Sequence, residues 1–410
     1  MATNILVDVA TYQKADLALL QNSFCFINKA NKKFKNFEKF IGNRGATVTF
    51  DLPPRFASGN GTLVANFQDS EQRVQSLVVD QAENIAMEYT AQEEIFNVAD
   101  YLDVFGRSAV AELGTVIESN VAENAVTKPY RFYGDGINPV NSYGELAKAL
   151  SFFRNYGAPL RDTRAIIPDI EVPDVVNTGL NQFALNRNNE DAMSWELGKF
   201  SNCDWYQSNL LPLHTAGTVG QAATTLTVVS INAAGDQITL SGAAVSDPDA
   251  IKENDLLEFQ DAVVGQPNMR YLTFIGHKPS ANPVQVRATA DAASDGAGQV
   301  VVSIFPALVD TALDRNQNIN NPVAAGMEIK ALPNTRRGVI YAGDALYLAL
   351  PRLPSQEPFP TANEADKDSG ASMRMYYGTK FGLNQKGFVH DAIWGSTLVP
   401  EYSMAIVYPE

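Results

Sequence analysis

Residues 336–354 read RRGVIYAGDALYLALPRLP, and residues 370–410 read GASMRMYYGTKFGLNQKGFVHDAIWGSTLVPEYSMAIVYPE. The first stretch is apolar from Val339 to Leu348 and stops at Pro351, because proline cannot donate a backbone hydrogen bond. Neither stretch carries a catalytic motif, so both indicate a structural part of the fold. The second contains three extended runs, around Met373–Tyr377, Phe388–Trp394 and Ala405–Tyr408.

The composition is that of a folded, acidic protein. A chain of 410 residues can hold two to three domains and a large core. Its hydrophobic fraction of 45% and aromatic fraction of 10% are typical of folded proteins. The formal net charge of −15 disfavours non-specific nucleic-acid binding by the chain as a whole, although it leaves room for a local basic patch.

The N-terminus and the cysteines favour a soluble protein made in a cytoplasm. Cys25 and Cys203 have neither metal-ligand spacing nor the pattern of a disulfide framework, so we expect two reduced thiols. The first residues, MATNILVDVATYQKAD, lack the basic region and long apolar core of a signal peptide. No stretch reaches the roughly 18–20 apolar residues of a membrane helix.

The hydrophobic period changes along the first half of the chain. Residues 46–90 combine β-prone runs with turn signals, which predicts a long hairpin. From Ile95 to Val116 the apolar residues follow the three-four spacing of one helix face, and Pro129 ends any helix that reaches it. The spacing then predicts a helix over Tyr143–Phe153 and a buried strand over Arg164–Ile167.

The composition shifts sharply near His214. Between residues 215 and 334, repeated strand-turn-strand signals predict a small all-β barrel. The mixed α/β pattern returns at Arg336, so the barrel is predicted to be an insertion into a domain whose two flanks complete one core. The predicted barrel strands are Thr225–Ile231, Gln237–Leu240, Asp255–Phe259, Tyr271–Ile275, Val284–Ala288 and Val300–Phe305.

Two regions of opposite charge suggest contacts between copies of the chain. Residues 29–44 interleave basic residues with phenylalanines, whereas residues 80–124 are strongly acidic. Opposite charges suit an arm of one copy that docks on the acidic segment of another. A contact with single-stranded nucleic acid and an ordinary solvated face are the alternatives. The candidate contact residues are Lys29, Lys32, Lys33, Lys35, Lys39, Arg44, Glu93, Glu94, Asp100 and Asp103.

The sequence offers no catalytic, cofactor or metal motif. His214, His277 and His390 fall in different segments, and no HExxH spacing, phosphate-binding loop or nucleophile elbow is present, so we interpret them as structural or surface histidines. The acidic residues Asp247, Asp249, Glu253 and Asp255 form either a weak cation site or, more plausibly, an acidic loop that meets a basic residue of a neighbouring subunit.

The order of these parts resembles the Hong Kong-97 fold of tailed-bacteriophage major capsid proteins. More narrowly, it resembles the P-twenty-two-like coat family, in which a small β-barrel interrupts the axial domain. The segments GDALYLALPRLP and SMRMYYGTKFGLNQKGFVHDAIWG carry the resemblance, and they are similar to a C-terminal helix-loop-strand pattern of that family. The implied parts are an N-terminal arm (1–45), an extended β-hairpin loop (46–92), a spine helix region (93–134), peripheral and axial α/β domains (135–214 and 335–410) and the β-barrel insertion domain (215–334).

The resemblance implies an α+β coat protein that is not an enzyme and needs no cofactor. Its copies would form hexamers and pentamers of an icosahedral virion capsid, assembled in the host cytoplasm with a separate scaffolding protein and a portal. Packaged double-stranded DNA would be confined rather than specifically bound. The alternatives are an encapsulin-like cellular compartment shell, a β-rich surface or glycan-binding protein with exposed aromatic platforms, and an enzyme.

Overall fold

The computed structural model describes residues 25–31, 46–56, 72–157, 162–175, 196–261, 263–273, 276–311, 314–354, 361–365, 372–380 and 385–410. The chain divides into two compact units. The first comprises residues 1–50, 74–124 and 346–397, and the second comprises residues 51–73, 125–345 and 398–410. The predicted α/β segment 335–410 is therefore shared between the two units.

The described helices and strands follow in chain order. The helices are α1 (Cys25–Lys29), α2 (Ala91–Thr127), α3 (Tyr143–Asn155), α4 (Val172–Val175) and α5 (Thr218–Gln221), with 3-10 turns at Asp169–Glu171 and Pro400–Tyr402. The strands are β1 (Ala46–Leu52), β2 (Arg73–Val79), β3 (Gln81–Thr90), β4 (Phe132–Tyr133), β5 (Arg164–Pro168), β6 (Glu196–Phe200), β7 (Cys203–Ser208), β8 (Leu213–His214), β9 (Thr225–Ile231), β10 (Gln237–Ser241), β11 (Leu256–Phe259), β12 (Arg270–Leu272), β13 (Pro279–Pro283), β14 (Gln285–Ala288), β15 (Gln299–Phe305), β16 (Glu328–Ala331), β17 (Thr335–Tyr341), β18 (Leu346–Ala349), β19 (Thr361–Ala365), β20 (Ser372–Lys380), β21 (Gln385–Leu398) and β22 (Ser403–Pro409).

The first unit pairs a long helix with a five-stranded sheet. Helix α2 has 37 residues, runs without interruption through Gly106 and ends two residues before Pro129, as the spacing predicted. None of the helices in the described residues is long and apolar enough to cross a membrane. The sheet has the order β18-β21-β20-β19, and β3 pairs with β21 over ten residues, from Gln81 opposite Trp394 to Thr90 opposite Gln385. The buried Trp394 indole then donates a hydrogen bond of 3.2 Å to the side-chain oxygen of Asn120 on α2.

Strands β1 and β2 form a two-stranded ribbon within the predicted hairpin. Its inner face packs Leu77 and Val79 against Ala349. The ribbon passes so close to β21 that a Cβ at Gly395 would collide with the carbonyl oxygen of Val78. Glycine at position 395 is therefore required for the ribbon to lie on the sheet.

The second unit is built on a seven-stranded mixed sheet of order β4-β22-β17-β5-β7-β6, with β8 added beside β17. Helix α3 covers it through Leu146, Leu150 and Phe153, and Ser142 caps its first turn by accepting a 3.2 Å hydrogen bond from the Glu145 amide. Gly157, with φ of 83°, follows the helix end. The predicted helix and the predicted strand at Arg164–Ile167 are confirmed.

The predicted helix-loop-strand pattern near the C-terminus is wrong in its first part. The apolar residues of GDALYLALPRLP and of the stretch before it form strands β17 and β18 instead of a helix. Strand β17 is buried almost throughout, with β22 on one side and β5 on the other. A strand buried on both faces reads as a continuous apolar run, so periodicity alone does not separate it from a buried helix.

The predicted barrel is present as six strands closed in the order β10-β15-β14-β11-β16-β9. Five of the six predicted strands belong to it, whereas the strand predicted at Tyr271–Ile275 overlaps β12 and pairs with β13 in a separate ribbon. Strands β13 and β16 were missed, since prolines bracket the first and two charged residues occupy the second.

The barrel interior is continuous with residues of the α/β domain. Tyr130 and Tyr156, which precede the barrel in sequence, join its core and contact the ring of Tyr271. The hydroxyl groups of Tyr130 and Tyr156 lie 2.9 Å apart. The inserted barrel and the domain that it interrupts therefore share one aromatic cluster.

Candidate assembly surfaces

Half of the ten predicted contact residues lie outside the part of the chain that the structure describes. Lys32, Lys33, Lys35, Lys39 and Arg44 fall between described segments. The acidic candidates Glu93, Glu94, Asp100 and Asp103 lie on α2, but only their backbone is described. Lys29 is the last residue of α1. The docking of the basic run on the acidic helix therefore stays a prediction.

The described piece of the predicted N-terminal arm is fixed to its own chain. The backbone amides of Phe26 and Ile27 donate hydrogen bonds of 2.6 and 2.8 Å to the two carboxylate oxygens of Glu118, which is 1% exposed. Asn31 then exchanges backbone hydrogen bonds with Leu346 and Leu348 at the edge of the five-stranded sheet. The segment 25–31 is thus anchored on its own unit, so an arm that reaches a neighbour has to use residues outside it.

Sequence reasoning missed Glu118, although a signal for it exists. Glu118 precedes Val121 by three residues and Ala122 by four, which places it on the apolar stripe of α2. A carboxylate on such a stripe requires hydrogen-bond donors, because an unpaired buried charge is costly. The amides in the first turn of α1, which have no acceptor within that helix, supply those donors.

The outer face of the ribbon leaves apolar side chains open. Val74 is 52% exposed and Val78 is 43% exposed, and both alternate along β2 with residues that turn towards the sheet. Phe56, just beyond β1, is also exposed. Isolated two-stranded ribbons are marginally stable in water, and exposed apolar residues along a strand mark a contact surface.

An ion-pair clamp lies at the end of the ribbon where the chain leaves β1 and enters β2. Glu401, in the 3-10 turn at Pro400–Tyr402, pairs with Arg55 beyond β1 at 2.7 Å and with Arg73 at the start of β2. The carbonyl oxygen of Glu401 also accepts a 2.6 Å hydrogen bond from Arg131. The Arg131 guanidinium lies 3.8 Å from the ring centroid of Tyr156. One turn thus binds the chain both where it leaves β1 and where it enters β2. No sequence pattern could reveal these partners, because Glu401 and Arg73 are 328 residues apart.

A second polar cluster fixes the place where the barrel enters the α/β domain. Buried Asp255 bonds His214 Nε2 at 2.7 Å and accepts hydrogen bonds from the amides of Gly217 and Lys252 at 3.0 and 2.9 Å. Burial lowers the pKa of His214, and the hydrogen bond that the Asp255 carboxylate accepts from its ring offsets this in part. His214 is therefore a structural histidine, as predicted.

The prediction of an acidic contact loop is wrong for Asp255, because its carboxylate is buried and used within the chain. Asp247 is also engaged, since its carboxylate accepts hydrogen bonds from Thr218 and from the Asp249 amide. Among the described residues, no group of three histidine, cysteine, aspartate or glutamate side chains is placed to hold a metal ion. Cys25 and Cys203 are both buried and form no disulfide, and burial raises the pKa of Cys203.

An open depression of about 400 Å³ lies on one face of the five-stranded sheet. Arg374 and Asp391, which both line it, neutralise each other, because Arg374 Nε donates a 2.9 Å hydrogen bond to the Asp391 carboxylate. The ring of Tyr376 lies under the same guanidinium. With this cation and anion already paired, neither side chain is poised for acid–base or nucleophilic chemistry.

No protein-family model and no curated protein matches the sequence. Solved structures that match include the capsid of Ralstonia phage GP4, at 6% identity and a TM-score of 0.45, covering 94% of this chain and 89% of that one. The capsid of cyanophage P-SCSP1u matches at 10% identity and a TM-score of 0.43, covering 95% and 89%. The mature capsid of bacteriophage PhiM1 matches at 9% identity and a TM-score of 0.42, covering 94% and 87%. All three are phage capsids, the class of protein that the sequence resembles, but identities and TM-scores this low leave the function to be inferred from the chain's own residues.

Proposed function

We propose that the chain is the major capsid protein of a tailed bacteriophage, with a Hong Kong-97-type fold. Its copies would self-assemble into an icosahedral shell that encloses double-stranded DNA. The observation that carries this proposal is the clamped ribbon, a pair of strands held by Glu401 at the end where the chain leaves β1 and enters β2, with Val74 and Val78 open on its outer face. Such a ribbon is expected to reach its full stability when a neighbouring copy covers it.

The chemistry of the described residues supports a structural role. The buried carboxylates Glu118 and Asp255 bind backbone amides of the chain itself, which fits a role in shaping the subunit. A net charge of −15 suits a subunit that confines DNA without wrapping it. Hexamers and pentamers, a separate scaffolding protein, a portal and assembly in the host cytoplasm belong to the same proposal.

The alternatives receive less support. In the described part of the barrel, Phe259 and Tyr271 are buried and Phe305 packs against the core, so these aromatic residues form no exposed platform for a glycan. An encapsulin-like compartment shell shares the proposed fold class and differs in its contents. Protein cargo inside purified particles would favour that alternative, whereas packaged DNA would favour the phage capsid.

Expression of the chain alone, followed by sedimentation and negative-stain electron microscopy, tests the proposal. Closed shells or curved sheets are the expected products. A uniform monomer calls for co-expression with a candidate scaffolding protein. A monomer under both conditions would contradict the proposal.

The basic run provides a second test of assembly. Changing Lys32, Lys33 and Lys35 together to glutamate should impair particle formation and leave the subunit folded, because the arm would then repel an acidic neighbour. Circular dichroism and unfolding by urea serve as the control for folding. Normal particles from the triple variant would eliminate the docking arm.

A further inference from the structure

One face of the barrel carries no charge at all. Strands β9, β10 and β15 read TLTVVSI, QITLS and QVVVSIF, without a single aspartate, glutamate, lysine or arginine. The complete chain has 31 basic and 46 acidic residues in 410. Solvated strand faces normally carry such charges, because charge keeps β-structure soluble and separate.

The three strands are neighbours and present one continuous surface. Strand β10 lies between the other two, and Thr239 at its centre is opposite Ser230 on β9 and Val301 on β15. Alternate residues of each strand fill the barrel. The outward residues are threonine, serine, glutamine and valine, with Val301 56% exposed. Charge returns on the two flanking strands, at Glu328 on β16, which lies opposite Thr227, and at the buried Arg287 on β14, which lies opposite Phe305, and these residues mark the borders of the face.

The absence of charge limits what this face can bind. A basic or acidic partner would find no complementary charge on it, so the face suits a partner as neutral as itself. The other copies of the chain are acidic overall and repel one another, and an uncharged face is where two of them can approach with the least repulsion. A closed barrel has no free strand edge, so the contact has to be face to face.

We infer that the β9–β10–β15 face packs against the same face of a second copy, as a self-complementary contact between subunits of the shell. This inference rests on the proposed function. From strand spacing and rise, the face measures roughly 300 Å² per copy. That is well below the roughly 800 Å² per partner of a stable complex. The contact therefore forms within an assembly, where other contacts hold the copies in place.

Charge substitutions at Val301 test this contact. Val301→Glu and Val301→Lys each put the same charge on both copies of the face, so each variant alone should lower the yield of sedimenting particles by roughly an order of magnitude. Co-expression of the two variants should restore the yield, because the two faces then carry opposite charges. The same pair of substitutions at Val245, which is 64% exposed and outside these strands, is the matched control and should change little.

The outcomes separate this inference from the proposed function. Normal particles from both single Val301 variants, or impaired particles that mixing does not rescue, would overturn the self-complementary contact and leave the capsid function intact. Failure of the unmodified chain to form particles under any condition would overturn both. A cysteine at Thr239 adds a direct readout, because both native cysteines are buried. Oxidised particles of Thr239→Cys should contain disulfide-linked dimers, and their absence alongside normal Val301 variants would reject the contact.

Discussion

The barrel and the ribbon are both made only of β-strands, yet they differ in what they can bury without a neighbour. Each of the six barrel strands pairs on both sides, and the inward side chains form one large core. The ribbon has two strands, and one of its faces leaves Val74 and Val78 open. The barrel therefore completes its core within one copy of the chain, with Tyr130 and Tyr156 of the α/β domain, whereas the ribbon depends on the sheet beneath it, on the Glu401 clamp and, in the proposed shell, on another copy.

The largest expected effect comes from a substitution that breaks the contact between the barrel core and the α/β domain. Tyr156→Ala leaves a cavity where the tyrosine ring packs against Tyr130 and Tyr271, and it removes the surface under the Arg131 guanidinium. The free energy of unfolding in urea should fall by about 3–5 kcal/mol. Tyr156→Phe is the matched control, since it keeps the ring, removes the hydrogen bond to the Tyr130 hydroxyl and should cost about 1 kcal/mol.

Equal stabilities of the alanine and phenylalanine variants would contradict this prediction. They would mean that the barrel holds its core without the residues of the α/β domain. The barrel would then be an independent module. It would differ from the ribbon even more in how little its stability depends on residues outside it.

The barrel could be predicted from the sequence because its information is local. Most of its strands alternate apolar and polar residues between turn signals, so β9 was predicted at its observed bounds. The long helix α2 was predictable for the same reason, because its three-four spacing repeats over many turns. The ribbon was predicted as part of a hairpin, but the residues that clamp it were not predicted.

The contacts that fix the ribbon and the arm could not be predicted, because each depends on residues far apart in sequence. Glu401 meets Arg55 and Arg73 across more than three hundred residues, and a lone charged residue in a 3-10 turn has no pattern. The strands β17 and β18 were misread as part of a helical pattern, since burial on both faces removes the alternation that identifies a strand.

A buried histidine in the sheet beneath the ribbon should make the stability of the protein depend on pH. His390 lies on β21, fully buried, neither of its ring nitrogens is hydrogen-bonded to a residue that the structure describes, and burial lowers its pKa to about 4. The unfolded chain binds the proton near pH 6.5, so this histidine lowers the stability as the pH falls from 6.5 to about 4. The loss amounts to about 3 kcal/mol. In His390→Leu this part of the pH dependence should vanish.

Urea unfolding at several pH values between 7 and 4 measures this effect as the difference between the variant and the unmodified chain. His277→Asn is the control, because asparagine tolerates the positive φ of 46° at that position and the ring lies outside the sheet. A stability difference between His390→Leu and the unmodified chain that stays constant with pH would show that His390 titrates normally in the folded protein.

The smallest expected effect comes from loss of the ion pairs of Glu401. Glu401→Gln removes the charge that Arg55 and Arg73 share, and such partly exposed ion pairs contribute about 1 kcal/mol. Because the loss is local, hydrogen exchange should become faster for the backbone amides of Arg73–Val79, while those of Thr225–Ile231 in the barrel keep their rates. Glu410→Gln is the matched control, since the hydrogen bond that Glu410 accepts from Asn334 is exposed. Faster exchange in the barrel as well would mean that the clamp supports the whole fold, and unchanged exchange in the ribbon would mean that the sheet alone holds it.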